Sequence, residues 1–186
     1  PSLEPEISLI KSPGLDLFST FVFKERLSLF MNKKDKSLDD WYEFFSAFFG
    51  GFPEIKTFGN RLRDLLDKSP YDIVIDNQSI SYGILQVQKN IPVIEIVHHP
   101  ITKDYEYDLQ FSRGIIQKLS KWRWFSFLKM QKRVASKLNV ISTPSSNSKK
   151  DIEKDFNVPS KNIVVIPNGI DHIKFSPKNN INRTRG

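Results

Sequence analysis

Four polar clusters interrupt an otherwise apolar pattern: Asp76-Asn77-Gln78, His98-His99-Pro100, Thr143-Pro144-Ser145-Ser146-Asn147 and Pro167-Asn168-Gly169. Their side chains can do chemistry. A histidine such as His98 serves as a general base or a hydrogen-bond donor to a ligand hydroxyl, and equally as a structural group bonded to backbone. Asp76 is a base or the cap of a following helix. Ser145 or Ser146 opens a helix whose first N–H groups and positive dipole end suit a phosphate, or else simply caps it. Asn168-Gly169 is a tight-turn pair that tolerates positive φ. His98 and His99 are adjacent on an extended strand end, so they point opposite ways and are not expected to share a metal. With no cysteine and no HExxH, no metal site is expected. There is no GxGxxG, no GxxxxGKS/T phosphate loop and no serine nucleophile elbow.

These clusters need elements to position them, and each directly follows a short apolar run. The runs at 71–75, 92–97, 139–142 and 163–166 read as strands. Helical patterns fall between them: 79–89 with Ile80, Ile84 and Val87 inward, 113–138 as one long helix, and a helix from Ser145 or Ser146 to Asp155. Alternating strands and helices imply βαβ units, an α/β fold and a mostly parallel sheet covered on both faces. Ligands of such sheets bind beyond the carboxyl ends of the strands, so the four clusters describe one rim.

Ahead of this pattern, 7–10 reads as a short strand and Pro13-Gly14 as a turn. Ser37 caps a helix over 38–49 that Gly50-Gly51 ends. Its aromatic face of Trp41, Phe44, Phe45, Phe48 and Phe49 is expected to pack as core. A second helix covers 54–67 after Pro53, with Ile55, Phe58, Leu62, Leu65 and Leu66 on one face.

Composition sets outer limits. The chain has 186 residues, is 39% hydrophobic and carries a formal charge of +7, which fits one domain with a real core. No apolar run reaches the roughly 18 residues of a membrane span, and no secretory signal opens the chain. Beginning at Pro1, it reads as a fragment or a processed chain. The lack of cysteine is compatible with a cytoplasmic location. From Leu109 to Lys150 there are ten basic residues and no acidic one, so anionic partners are favoured. In the long helix Ile115, Leu119, Trp122, Phe125 and Leu128 form an inward stripe. Lys129, Lys132 and Arg133 then make a solvated basic face, or a surface for anionic lipid at the inner face of a membrane. No nucleic-acid module accompanies them, so no nucleic acid is expected as a partner.

Val165-Ile166-Pro167-Asn168-Gly169-Ile170-Asp171, followed by Phe175 and Pro177, resembles the "IPNGVD…F.P" segment of family-4-type glycosyltransferases of the GT-B fold. Pro92 to Pro100 is similar to that family's strand ending in a histidine, Asn139 to Ser145 to its strand and serine, and Tyr71 to Asp76 to its "yDvvh" strand. The resemblance spans about 71–177. It implies a Rossmann-like three-layer domain, one half of a GT-B fold, over 1–177, with 178–186 as interdomain linker. It further implies transfer of a sugar from a nucleotide-diphosphate donor to an acceptor, retaining and without metal or other cofactor. His98 would lie near the reacting sugar, with Asp76, Asn77, Gln78, His99, Thr143, Ser145, Asn168 and Gly169 around acceptor and donor. The family's first strand with its glycine-rich loop, and its C-terminal donor domain, have no counterpart here. The chain alone is therefore expected to be inactive. The rival readings are a basic α/β module that docks on anionic membrane or nucleic acid, and another GT-B enzyme such as a nucleotide-sugar epimerase or a phosphorylase.

Overall fold

The computed structural model describes residues 8–12, 14–17, 19–20, 22–66 and 71–176. The expectations for Ile7, Pro13, Asp67, Pro177 and 178–186 lie outside these residues. The elements run α1 Phe23–Asn32, α2 Leu38–Phe48, α3 Glu54–Leu66, β1 Val74–Asn77, α4 Tyr82–Val87, β2 Val93–Ile96, α5 Thr102–Gln110, α6 Ile115–Trp124, α7 Leu128–Ala135, β3 Ile141–Thr143, α8 Ser146–Phe156 and β4 Ile163–Val165.

The four strands form one parallel sheet in the order β1-β2-β3-β4, so the Rossmann-like α/β reading holds. A parallel crossover is right-handed. Strands added one after another in the same direction therefore put all their crossover helices on the same face. Val93, Ile141 and Ile163 on that face join Ile80, Ile84, Val87, Met130, Val134, Ile152 and Phe156 in the main core. The residues of opposite parity face away from it: Ile73, Ile75, Val140, Val164 and Ile166 are 37–60% exposed. A reversal of strand order, which would carry helices to this second face, does not occur among the described strands.

One contact ties the N-terminal helices to the sheet. A Cβ on Gly83 of α4 would stand 1.8 Å from the carbonyl oxygen of Gly59 in α3, and a Cβ on Gly59 would stand 2.0 Å from Ser81 Oγ. Backbone meets backbone here because neither residue has a side chain. Glu43 of α2 anchors the other side: it is buried, bonds Arg61 Nη1 at 2.8 Å, accepts the Leu15 N–H at 3.0 Å and accepts the Thr57 hydroxyl.

Several expectations change. Ser8, Leu9 and Ile10 are exposed and form no strand. The long helix divides into α6, a 3₁₀ turn Phe125–Phe127 and α7. Phe125 and Phe127 are both buried, with Leu128, against Phe52, Ile55, Ile101, Tyr105 and Trp124. Residues two apart cannot share an α-helical face, so the chain tightens to bury both rings. The inward stripe holds only for Phe125 and Leu128: α6 buries none of its residues, and Ile115 is 85% exposed. Of the aromatic face of α2, only Phe44 reaches a core, stacking on Phe30 with centroids 4.1 Å apart. Trp41, Phe45, Phe48 and Phe49 are exposed, because α1 covers one edge of α2 and leaves the rest open. Phe58 of α3 is likewise exposed. Asn168 and Gly169 do not adopt positive φ. The turn comes later, where Asp171 Oδ1 accepts the N–H groups of Ile173 and Lys174, both at 3.0 Å. Among the described residues no helix is long and apolar enough to cross a membrane.

Candidate active site

β1 begins three residues later than its apolar run and takes in Asp76 and Asn77. Asp76 points to the core face and is buried. Its Oδ2 accepts the Ser79 N–H at 3.1 Å, the Ser79 hydroxyl at 2.6 Å and the Ile80 N–H at 3.3 Å. A capped turn follows, with Gln78 at φ +67° and Ile80 at φ +43°. A β-branched residue at positive φ is a genuine outlier, of order 1–3 kcal/mol of strain. Ile80 tolerates it because its side chain is buried in the core and its N–H is held by Asp76.

The turn presents Asn77 and Gln78 to the residues after β2. Gln78 Oε1 accepts the His98 N–H at 3.0 Å, and Gln78 Nε2 donates to the His99 carbonyl at 3.1 Å. Asn77 Oδ1 lies 2.9 Å from His98 Nε2. With the Asn77 oxygen as acceptor, Nε2 is the donor of the pair, and Nδ1 is the ring nitrogen that this contact does not use. From the third side, Ser148 Oγ donates to the His98 carbonyl at 3.0 Å, while Ser145 Oγ caps α8 by accepting the Ser148 N–H at 3.0 Å. His98 is thus an exposed ring whose backbone and one nitrogen are fixed by three elements. His99 turns elsewhere, to Asp104 at 3.4 Å.

His99 apart, the predicted rim residues separate into three groups. His98, Asn77 and Gln78 come together directly, and Ser145 joins them through Ser148. Asp76 and Thr143 are buried beneath the rim. Asn168 and Gly169 are exposed beyond β4, and no hydrogen bond among the described residues joins them to the His98 group. Lys129, Lys132 and Arg133 lie together on the exposed face of α7, opposite its buried Met130, Gln131 and Val134. Among the described residues no three His, Asp or Glu side chains gather to hold a metal ion.

A cleft of about 520 Å³ opens beside Asn77, Gln78 and Ser79, and Asp16, Glu54, Arg61, Phe52 and Phe58 line it. Glu54 has its pKa raised, first by partial burial and then by the charges of Glu43 and Asp16, against the pull of Arg61. Ser148 and the N-terminal wall of this cleft escape the sequence reading. Ser148 has the weak signal of standing three residues after a capping serine; Asp16 and Arg61 have none.

At the carboxyl rim of this Rossmann-like sheet, Asn77 and Gln78 thus face a fixed histidine on one side and a cleft lined by carboxylates and phenyl rings on the other. The family model of Glycosyltransferase Family 4 matches residues 28–174, and the chain belongs to that family. The match reaches well upstream of the motifs first seen at 71–177. The chain is also 36% identical, over 98% of its length, to an MMP alpha-(1->4)-mannosyltransferase of Mycolicibacterium hassiacum. It spans 44% of that relative.

Proposed function

We propose that this chain is the acceptor side of a glycosyltransferase that moves a sugar from a nucleotide-diphosphate donor to a saccharide hydroxyl. By likeness to its relative, the sugar is mannose and the new bond α-(1→4). The observation that carries the reading is His98, locked by Asn77, Gln78 and Ser148 beside the cleft of Asp16, Glu54 and Phe58. Carboxylates accept hydrogen bonds from sugar hydroxyls, and phenyl rings cover their C–H faces. His98 Nδ1 accepts a hydrogen bond from a hydroxyl of one reacting sugar and so fixes its angle of approach. The bond from the anomeric carbon to the diphosphate breaks and the acceptor oxygen bonds that carbon. Its proton leaves on the departing phosphate. The family resemblance supports retention of configuration, independence from metal and other cofactors, a cytoplasmic location, and a donor domain outside these 186 residues. The chain alone would then be inactive.

The test is the full-length protein with mannose nucleotides and mannoside acceptors, wild type against His98→Ala. A fall in kcat of about 100-fold or more is expected. Donor-independent behaviour, or an unchanged His98→Ala, would sink the reading.

Contact with an anionic membrane has its own observation in α6. Ile115, Ile116, Leu119 and Trp122 are exposed on a helix none of whose residues is fully buried, interleaved with Lys118, Lys121 and Arg123. Such a helix suits a lipid interface. Co-sedimentation with phosphatidylglycerol vesicles should fall sharply when Lys129, Lys132 and Arg133 become Glu, or Ile115 and Ile116 become Ser. Binding that survives both sets of changes removes the surface from the account.

A further inference from the structure

Glu95 lies in the middle of the sheet with no exposed surface. Along β2 it stands between Val93 and Val97 on the core face, and both of those are buried. Its register neighbours are Asp76 on β1 and Ile141 on β3. Two carboxyl groups therefore sit side by side on the core face of adjacent parallel strands. Neither oxygen of Glu95 has a well-formed hydrogen bond, although the amides of Ile80 and Gln78 and the Asp76 carboxyl lie close enough to act on it. Asp76, by contrast, has three donors on one oxygen. Neighbouring carboxylates in an apolar site do not both ionise. The donors favour charge on Asp76, so the proton belongs to Glu95. Burial, and then the charge of Asp76, push the Glu95 pKa up to about 10, while the amides of Ile80 and Gln78 oppose the shift.

We infer that Asp76 and Glu95 act as one unit that holds a single proton, and that this unit sets the turn carrying Asn77 and Gln78 to His98. It rests on the reading of His98 given above and adds two positioning residues behind it. Glu95 as a neutral acid turns an O–H donor toward Asp76. Asp76 stays an anion and keeps its bonds to Ser79 and Ile80. Those bonds hold Ile80 at its positive φ, and the turn then places Asn77 Oδ1 on His98 Nε2. Around Glu95, β1 offers Asp76, β3 offers Ile141, and the turn offers the amides of Gln78 and Ile80. Asp76 is the charged group that acts on it. Loss of the proton puts two negative charges on one sheet face and releases the turn, so His98 loses its fixed nitrogen.

The test uses the full-length protein in two arms. Infrared spectra should show a protonated-carboxyl C=O band at neutral pH that Glu95→Gln lacks and that fades as pH passes about 10. In transfer assays Glu95→Gln, which keeps a neutral donor, should work close to wild type and lose the alkaline fall in kcat. Glu95→Leu removes the donor and should lower kcat by about 100-fold, the order expected of an ångström-scale misplacement, with donor KM unchanged. Absence of the band in wild type, or equal kcat in Glu95→Gln and Glu95→Leu, overturns the proposal. Where Glu95→Leu does not fold, the band and the pH profile of Glu95→Gln decide it. A protein that shows the band yet transfers no sugar supports the pair and sinks the proposed function instead.

Discussion

Replacing Gly83 with alanine should force α3 and α4 apart. The new Cβ would stand 1.8 Å from the Gly59 carbonyl oxygen, 2.3 Å from its carbon and 2.9 Å from its Cα. Ordinary contact begins at 3.4 Å, so the helices must separate by about 1.6 Å, the difference between these distances. All three obstacles are backbone atoms, and no rotamer relieves them. Overpacking a core costs about 1–3 kcal/mol, and a backbone obstacle belongs at the upper end. For a chain of this size each kcal/mol moves Tm by about 2–4 °C, so the expected drop is about 6–12 °C. The same shift displaces Ser81 and the turn before it, so transfer should suffer beyond the loss of stability. Differential scanning calorimetry of the full-length protein reads the first effect. Gly169→Ala is the control: its Cβ meets nothing within 4 Å, and it should melt with the wild type. A Gly83→Ala melt within about 2 °C of wild type would refute the argument that this approach depends on two absent side chains.

Glu43→Ala leaves Arg61 and the Leu15 N–H without their shared acceptor. Removing one partner of a buried pair costs about 3–5 kcal/mol, and Arg61 is part-exposed, so the lower end is expected in urea unfolding. Ser37→Ala breaks the capping box that Ser37 and Asp40 form at the start of α2, and about 1 kcal/mol should be lost in the same assay. Acid should weaken this corner. Burial alone would raise the pKa of Asp40, but the Lys33 ammonium 2.6 Å away and the Ser37 donors bring it below the ordinary 3.8. An acid lowered by folding contributes stability above its unfolded pKa and loses it as pH falls through the folded value. Lys33→Met should therefore flatten the fall in stability below pH 4, measured by urea unfolding at stepped pH.

The alternation of strands and helices was legible because each buried strand is a short β-branched run and each is followed by a polar cluster. His98 was legible for the same reason, and Ser37 and Ser145 declared their helices by capping chemistry. α1 and α5 stayed hidden: Val22 and Ile101 stand at their N-caps, and neither makes a side-chain cap bond. The end of β1 was misplaced because Asp76 and Asn77 look like loop residues. Asp76 belongs to the strand only because the turn beyond it supplies three donors. The aromatic face of α2 misled in the opposite direction. Its spacing describes a buried stripe, and whether a stripe is buried depends on what lies against it. Glu95 gave no signal at all, since an acid inside an apolar run looks like an exposed interruption until its neighbour across the sheet is known.

The open face of the sheet bears on how the protein must be handled. Ile73, Ile75, Val140, Val164 and Ile166 line one side, and among the described residues β1 and β4 end the sheet with unpaired edges. A sticky sheet with free edges recruits further strands, including those of its own copies. The chain expressed with this face uncovered should accumulate in inclusion bodies or as concentration-dependent assemblies. A covering segment supplied in the same polypeptide should do more for yield than any change to the +7 surface charge.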